Sequence, residues 1–163
     1  MIVLPSIAFA ASESQRPPVP GAQRVEPKAK GSDYSYYEAE RKLKGDVVAK
    51  EQQGRSWATL AEYDPIDTSG FRTIRVFFNL IQDDFYKNKG VFTSEAKVFV
   101  TVFHNTKNAS SGIESKEFLI ENTTGGNGYT EVPVLGPSSR VFIYGKNLPN
   151  KDMTLTTSIY LIK

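Results

Sequence analysis

From Arg72 to the end of the chain, apolar side chains recur at every second position in short runs separated by turn residues. Ile74, Val76, Phe78 and Leu80 fall in one phase, and Thr73, Arg75, Phe77 and Asn79 in the other. A period of two in β-branched and aromatic residues predicts a half-buried strand. Phe77 makes the second phase partly apolar, which predicts a cover over that face too. The last run is the most regular: Met153, Leu155, Thr157, Ile159 and Leu161 alternate with Thr154, Thr156, Ser158, Tyr160 and Ile162. Between these two lie runs over residues 95–103, 115–121, 129–135 and 140–144, and an earlier one covers 56–63. In 95–103 both phases are apolar, which predicts a central strand. Pro133 has no N–H to give a ladder, so its run belongs at an edge or a bulge.

About eight short strands with turn signals at regular spacing predict an all-β, antiparallel β-sandwich of the jelly-roll kind, over residues 54–163. The turn Asp67-Thr-Ser-Gly70 feeds the first long strand. Asp67 and Ser69 side chains bond nearby backbone N–H groups, and Gly70 admits positive φ. The stretch Asp67-Thr-Ser-Gly-Phe-Arg-Thr-Ile-Arg-Val-Phe-Phe78 resembles the entry to the first long strand of galactose-binding-like jelly rolls. Such modules occur in secreted bacterial surface proteins, in carbohydrate-binding proteins and in phage tails. The resemblance extends loosely over residues 56–163. It implies a fold and a binding role, brings over no catalytic residue, and implies no cofactor beyond the structural calcium that such jelly rolls often carry.

Upstream, the composition changes. Residues 1–10 form a short apolar segment ending in Ala8-Phe9-Ala10, the small-x-small pattern of a secretory cleavage site. No basic n-region precedes it, so it is expected to be a signal-peptide remnant. Residues 11–32 are rich in Pro, Gly, Ser and charge. They are expected to be a disordered, Pro-rich tether, because they hold too little apolar surface to offset ordering. Residues 33–53 are expected to hold one short helix and a connection. Ser35 and Glu38 have capping-box spacing, Gly45 is a stop, and Tyr34 and Tyr37 share a face. Residues 46–53 read ambiguously, since Val47-Val48-Ala49 also suits a strand.

Composition narrows the chemistry. The chain has no cysteine, so disulfides, thiolate metal sites and cysteine nucleophiles are excluded. Net charge is +2, and residues 56–163 hold eleven basic and eleven acidic side chains. That balance argues against a nucleic-acid footprint. No apolar run approaches the ~18 residues of a transmembrane helix. The single histidine, His104, is expected to be solvated in a polar loop; no nucleophile elbow accompanies it. The single tryptophan, Trp57, is expected in the core, with a sugar-stacking platform as the alternative. Asn108 and Asn122 lie in N-glycosylation patterns.

These features predict a secreted or periplasmic, non-catalytic module with no catalytic residues. The loops 82–90, 104–112 and 122–128 supply amide, carboxylate and aromatic groups of the kind that hold sugars. The candidate ligand-binding residues are Asp83, Asp84, Tyr86, Asn88, Asn105, Asn127 and Tyr129. Asp83 and Asp84 also offer oxygen ligands for a calcium ion. The expected partner is a glycan or a surface protein. The second expectation is an assembly subunit of an extracellular or periplasmic complex. A third is a small glycan hydrolase built on Asp83, Asp84, Glu95 or Glu117.

Overall fold

The computed structural model describes residues 27–30, 33–63, 65–84, 86–87, 89–105 and 110–163. Among the described residues, ten strands form two antiparallel sheets. The first sheet has the order β1-β2-β10-β5-β8, from β1 (Pro27–Lys30), β2 (Tyr34–Leu43), β10 (Met153–Ile162), β5 (Thr73–Gln82) and β8 (Gly125–Pro133). The second has the order β3-β9-β6-β7, from β3 (Ala58–Glu62), β9 (Ser138–Lys146), β6 (Lys97–Asn105) and β7 (Ser110–Leu119). The two-residue β4 (Ile66–Asp67) also pairs with β9.

The pairings nest. The hairpin β6–β7 lies innermost along the chain, followed outward by β5–β8, β3–β9 and β2–β10. Successive pairs belong to alternate sheets, which is the wrapping of a jelly roll. The expected fold class is therefore observed. Pro133 lies on the edge strand β8, and β6 is central, as its two apolar phases predict.

The inward phases form the core between the sheets. Val76, Leu80 and Leu155 face Leu60, Val100 and Ile143, all at or near zero exposure. In β3 a bulge between Thr59 and Ala61 turns both Leu60 and Ala61 inward. An extra residue in one strand breaks the strict alternation there.

The helix is not where capping signals place it. Residues 33–44 are not a helix: Tyr34–Leu43 is β2, in full register with β10 from Tyr34↔Ile162 to Leu43↔Met153. Ser35, Tyr37, Ala39 and Leu43 are buried, a period of two. An isolated helix of this length is marginal in water. Ten residues of pairing with the chain's most regular strand offer far more, and tyrosine favours strands. The sheet accordingly extends upstream of residue 54. Within the expected tether, residues 27–30 are strand β1; the signal-remnant segment lies outside the described residues.

The short helix is α1 (Gly45–Arg55), in the stretch that reads ambiguously. Asp46 in its first turn and Arg55 in its last suit the helix dipole. Lys44 at the N-cap makes no side-chain cap. The Asp152 carboxylate supplies one instead, accepting from Gly45 N–H at 3.0 Å and from Lys44 Nζ at 2.7 Å. Ser56, at φ 66°, closes the C-terminus through its N–H to the Gln52 carbonyl. Gln52 holds α1 to the sandwich by a reciprocal pair. Its amide nitrogen donates to the Leu148 carbonyl at 3.0 Å, and its oxygen accepts from Leu148 N–H at 2.8 Å.

Candidate binding surface

Strand register places an aromatic row on the outer face of the first sheet. Tyr36 on β2 is opposite Tyr160 on β10, and Phe77 on β5 is opposite Tyr129 on β8. The Tyr36 and Tyr160 rings stack at 4.7 Å, and those of Phe77 and Tyr129 at 5.3 Å. Phe77 also meets Tyr160 edge-on at 5.8 Å. Cross-strand aromatic pairs of this kind stabilise a sheet and stiffen its surface. The face that Phe77 makes apolar thus carries no covering layer among the described residues. Phe77 is half-buried by its own neighbours, and Tyr129 is 54% exposed.

Beside the aromatic row runs a neutral polar one. Asn79 is opposite Thr156 on one side and Asn127 on the other, with Ser158 opposite Phe77. These residues line a shallow depression of about 360 Å³ with Phe77, Phe78 and Tyr129 as its apolar part. Among the described residues, the side chains of Asn79, Asn127, Thr156 and Ser158 make no hydrogen bond to one another or to any other group. Their donors and acceptors are available to a ligand. Arg75 and Glu131, one step beyond Phe77 and Tyr129, neutralise each other at 2.6 Å. Lys116 reaches round the edge, its Nζ 5.9 Å from the Tyr129 ring centre.

Of the residues expected from sequence, Asn127 and Tyr129 lie on this surface, in strand β8 rather than in a loop. The expected 122–128 loop is only a turn at 122–124; the strand begins at Gly125. Asp83 and Asp84 follow the end of β5. The Asp83 carboxylate accepts the Thr154 hydroxyl at 2.5 Å and lies 3.8 Å from Lys42 Nζ. Asp84, at φ 55°, has Lys87 at 4.0 Å. Tyr86 is 91% exposed. Asn88 lies outside the described residues. Asn105 is on β6 in the other sheet, opposite Ser138, and does not join the group. Among the described residues no three carboxylate or imidazole groups gather to hold a metal ion. Glu117 is ion-paired with Lys97 on the second sheet, away from Asp83.

Phe77, Asn79, Thr156, Ser158, Tyr160 and Tyr36 were not among the sequence candidates. Their signal is the outward phase of β5, β10 and β2, a phase that looks like mere solvent exposure until strand order aligns it.

Two single residues also depart from expectation. His104 is not solvated: it is fully buried on the inward phase of β6. Its Nδ1 lies 2.9 Å from Ser139 Oγ, itself fully buried, with Thr68 Oγ1 3.5 Å further on. This Ser–His pair is sealed in the core. Trp57 is not in the core: it is 36% exposed, edge-on to Tyr144 at 5.0 Å, on the second sheet's outer side. Asn122 is exposed in its turn, and Asn108 lies outside the described residues.

No family model matches this chain, and no curated protein matches it. Solved structures similar to it include tripeptidyl peptidase 2, at 10% identity and a TM-score of 0.48, over 86% of this chain and 10% of that one. The decameric BFDV capsid protein is similar at 8% identity and a TM-score of 0.37, over 78% of this chain and 94% of that one. Dimeric latent PorU from Porphyromonas gingivalis is similar at 8% identity and a TM-score of 0.31, over 84% of this chain and 14% of that one. The chain thus spans about a tenth of the length of the peptidase. None of these distant likenesses bears on what this chain binds.

Proposed function

We propose that this chain is a secreted, non-catalytic binding module that takes a neutral carbohydrate on the outer face of its first sheet. One observation carries the reading. Asn79, Asn127, Thr156 and Ser158 turn unspent amide and hydroxyl groups into a depression walled by Phe77 and Tyr129. A sugar presents hydroxyls and apolar C–H patches side by side, so it uses both kinds of surface. Binding sites pair apolar walls with a few placed polar groups for this reason. The depression holds no ionised side chain in its lining, which favours a neutral ligand over a sulfated or acidic one. The Ala8-Phe9-Ala10 pattern supports secretion. The sealed position of His104 and Ser139 supports a role without catalysis.

The test is a glycan array probed with the whole chain, with and without chelator. Neutral glycans are expected to bind, and chelator is expected to make no difference. Asn79→Ala, Asn127→Ala and Tyr129→Ala are each expected to weaken binding about tenfold, the usual loss for a bonding side chain in a site. Silence on the array, or binding indifferent to all three variants, sinks the proposal. A second reading, a subunit of an assembly, is favoured by the aromatic outer face of the second sheet, where Phe142 and Tyr144 stack at 5.9 Å and Trp57 lies edge-on to Tyr144 at 5.0 Å.

A further inference from the structure

One level of the first sheet's outer face is polar on every strand it crosses. Register sets Asn127 on β8 opposite Asn79 on β5, Asn79 opposite Thr156 on β10, and Thr156 opposite Glu40 on β2. Strands lie about 4.8 Å apart, so three steps carry this row roughly 14 Å across the sheet. Glu40 stands just outside the depression and is exposed. Among the described residues it has neither a hydrogen bond nor an ion pair. The cations on the same face are engaged elsewhere: Lys42 with Thr154 and Asp83, and Arg75 with Glu131.

The row has apolar walls and reaches both rims of the sheet. Along β5, Phe77 precedes Asn79 and Ile81 follows it in the same outward phase, with Ile81 42% exposed. Tyr129 continues the Phe77 wall on β8. At one end β8 is an edge strand. At the other, β1 pairs with β2 only over Ser35–Tyr37, so β2 is itself the edge at Glu40. Among the described residues no strand pairs beyond either end.

Resting on the carbohydrate reading, we infer that the ligand is an internal stretch of an unbranched, neutral glycan laid across the strands, and that Glu40 is a further residue that binds it. An extended chain of equatorially linked pyranose units is a ribbon whose step is close to one strand spacing. Successive units therefore meet successive strands, with one polar side chain for each. The hydroxyl-bearing edge of the ribbon meets the row, and its C–H faces meet Phe77 and Tyr129 on one side and Ile81 on the other. The Glu40 carboxylate only accepts, and sugar hydroxyls donate to it. Bonds to an ionised acceptor are roughly twice as strong as neutral ones. The same charge repels a glycan that carries carboxylate or sulfate. A site for a chain terminus would close the row at one end; this row runs from rim to rim. The sheet turns by about 20–25° per strand, so a straight ribbon follows the row for about three or four units and then parts from it.

The test is calorimetry of the whole chain with unbranched β-1,4-linked oligomers of glucose, mannose, xylose and N-acetylglucosamine, from two units to six. At least one series is expected to gain about tenfold in affinity from two units to four, and little beyond. Glu40→Ala is expected to weaken the four-unit oligomer about tenfold and to leave the two-unit one unchanged. Glu40→Gln should lose less, because an acceptor stays while the charge goes. A loss confined to the longer oligomers is not the mark of a disturbed fold. Circular dichroism identifies a variant that fails to fold, and the other then decides. A two-unit oligomer bound as tightly as the four-unit one, or a four-unit oligomer indifferent to the folded Glu40 variants, overturns this inference and leaves the carbohydrate reading standing. Array binding to branched or terminal epitopes alone, with all four series silent, does the same. No glycan bound in either experiment overturns both.

Discussion

Phe118 occupies the side-chain space that Gly128 leaves empty. A Cβ built at Gly128 would stand 2.5 Å from Cδ1 of the Phe118 ring and 2.8 Å from Cε1 of Phe78. Gly128 and Phe78 are direct register partners on β8 and β5, and Phe118 on β7 meets Phe78 edge-on at 5.1 Å. The two sheets therefore close at this edge over a missing methyl group, directly behind Asn127 and Tyr129. Gly128→Ala is expected to destabilise by about 1–3 kcal/mol, the usual range for overpacking. A lower urea midpoint at unchanged slope would show it. Combining it with Phe118→Ala should cost less than the sum of the two, since the clash is then gone.

A second prediction concerns the phenol of Tyr63, which is fully buried. Its hydroxyl and that of Thr157 lie near each other but in no well-formed hydrogen bond, and neither has another partner among the described residues. A buried polar group without a partner costs folding energy. Tyr63→Phe is therefore expected to raise stability, by about 1 kcal/mol. A fall in the denaturation midpoint would count against it.

The same residue predicts a response to alkali. Burial pushes the Tyr63 phenol above its ordinary value of 10.0, with an offset from Thr157 and Arg41. Burial, reinforced by Glu62, raises that of Tyr144 as well. Above pH 10 the unfolded chain gives up these protons while the folded one keeps them. Stability is therefore full below pH 10 and falls as pH rises through the raised values. Thermal unfolding of Tyr63→Phe should show a shallower loss as pH rises above 10.

At the start of α1, Asp152 and Lys44 predict effects at both ends of the scale. The Lys44 hydrogen bond, then the Gly45 N–H, hold the Asp152 carboxyl below 3.8. Its contribution is full above that value and is lost as pH falls through the lowered one. The Asp152 hydrogen bond raises Lys44 above 10.5, so that contribution is full below 10.5 and is lost above it. Asp152→Ala is expected to speed amide exchange over residues 45–49 at neutral pH. It should leave the exchange of β10 past Leu155 unchanged.

In the core, Ser139→Ala takes the hydroxyl from beside His104 Nδ1. It is expected to cost about 1–3 kcal/mol, as the removal of a buried hydrogen-bond partner does. A change near zero in chemical denaturation would mean the contact carries no weight.

Much of the fold is legible in the sequence because a half-buried strand writes its burial as alternation. The inward phases of β5 and β10 are read directly, residue by residue. Pro133 announces its edge, and the doubly apolar run in β6 announces its central place. Residues 33–44 mislead because Ser35 and Glu38 have helix-cap spacing, while the alternation of Ser35, Tyr37, Ala39 and Leu43 is diluted by small and polar residues. His104 misleads because an imidazole among polar neighbours looks solvated, yet it continues the inward phase of Val98, Val100 and Val102.

By itself the sequence determined which side chains point inward on most strands, and hence a two-layer antiparallel sandwich, because apolar burial acts along each strand separately. Only the tertiary structure decided which outward residues meet. Tyr36 and Tyr160 are more than a hundred positions apart, and Asn79 and Asn127 are nearly fifty. Their side chains come together through strand order and register. Those follow from non-local pairing and the closing of the core, which no local pattern of residues encodes.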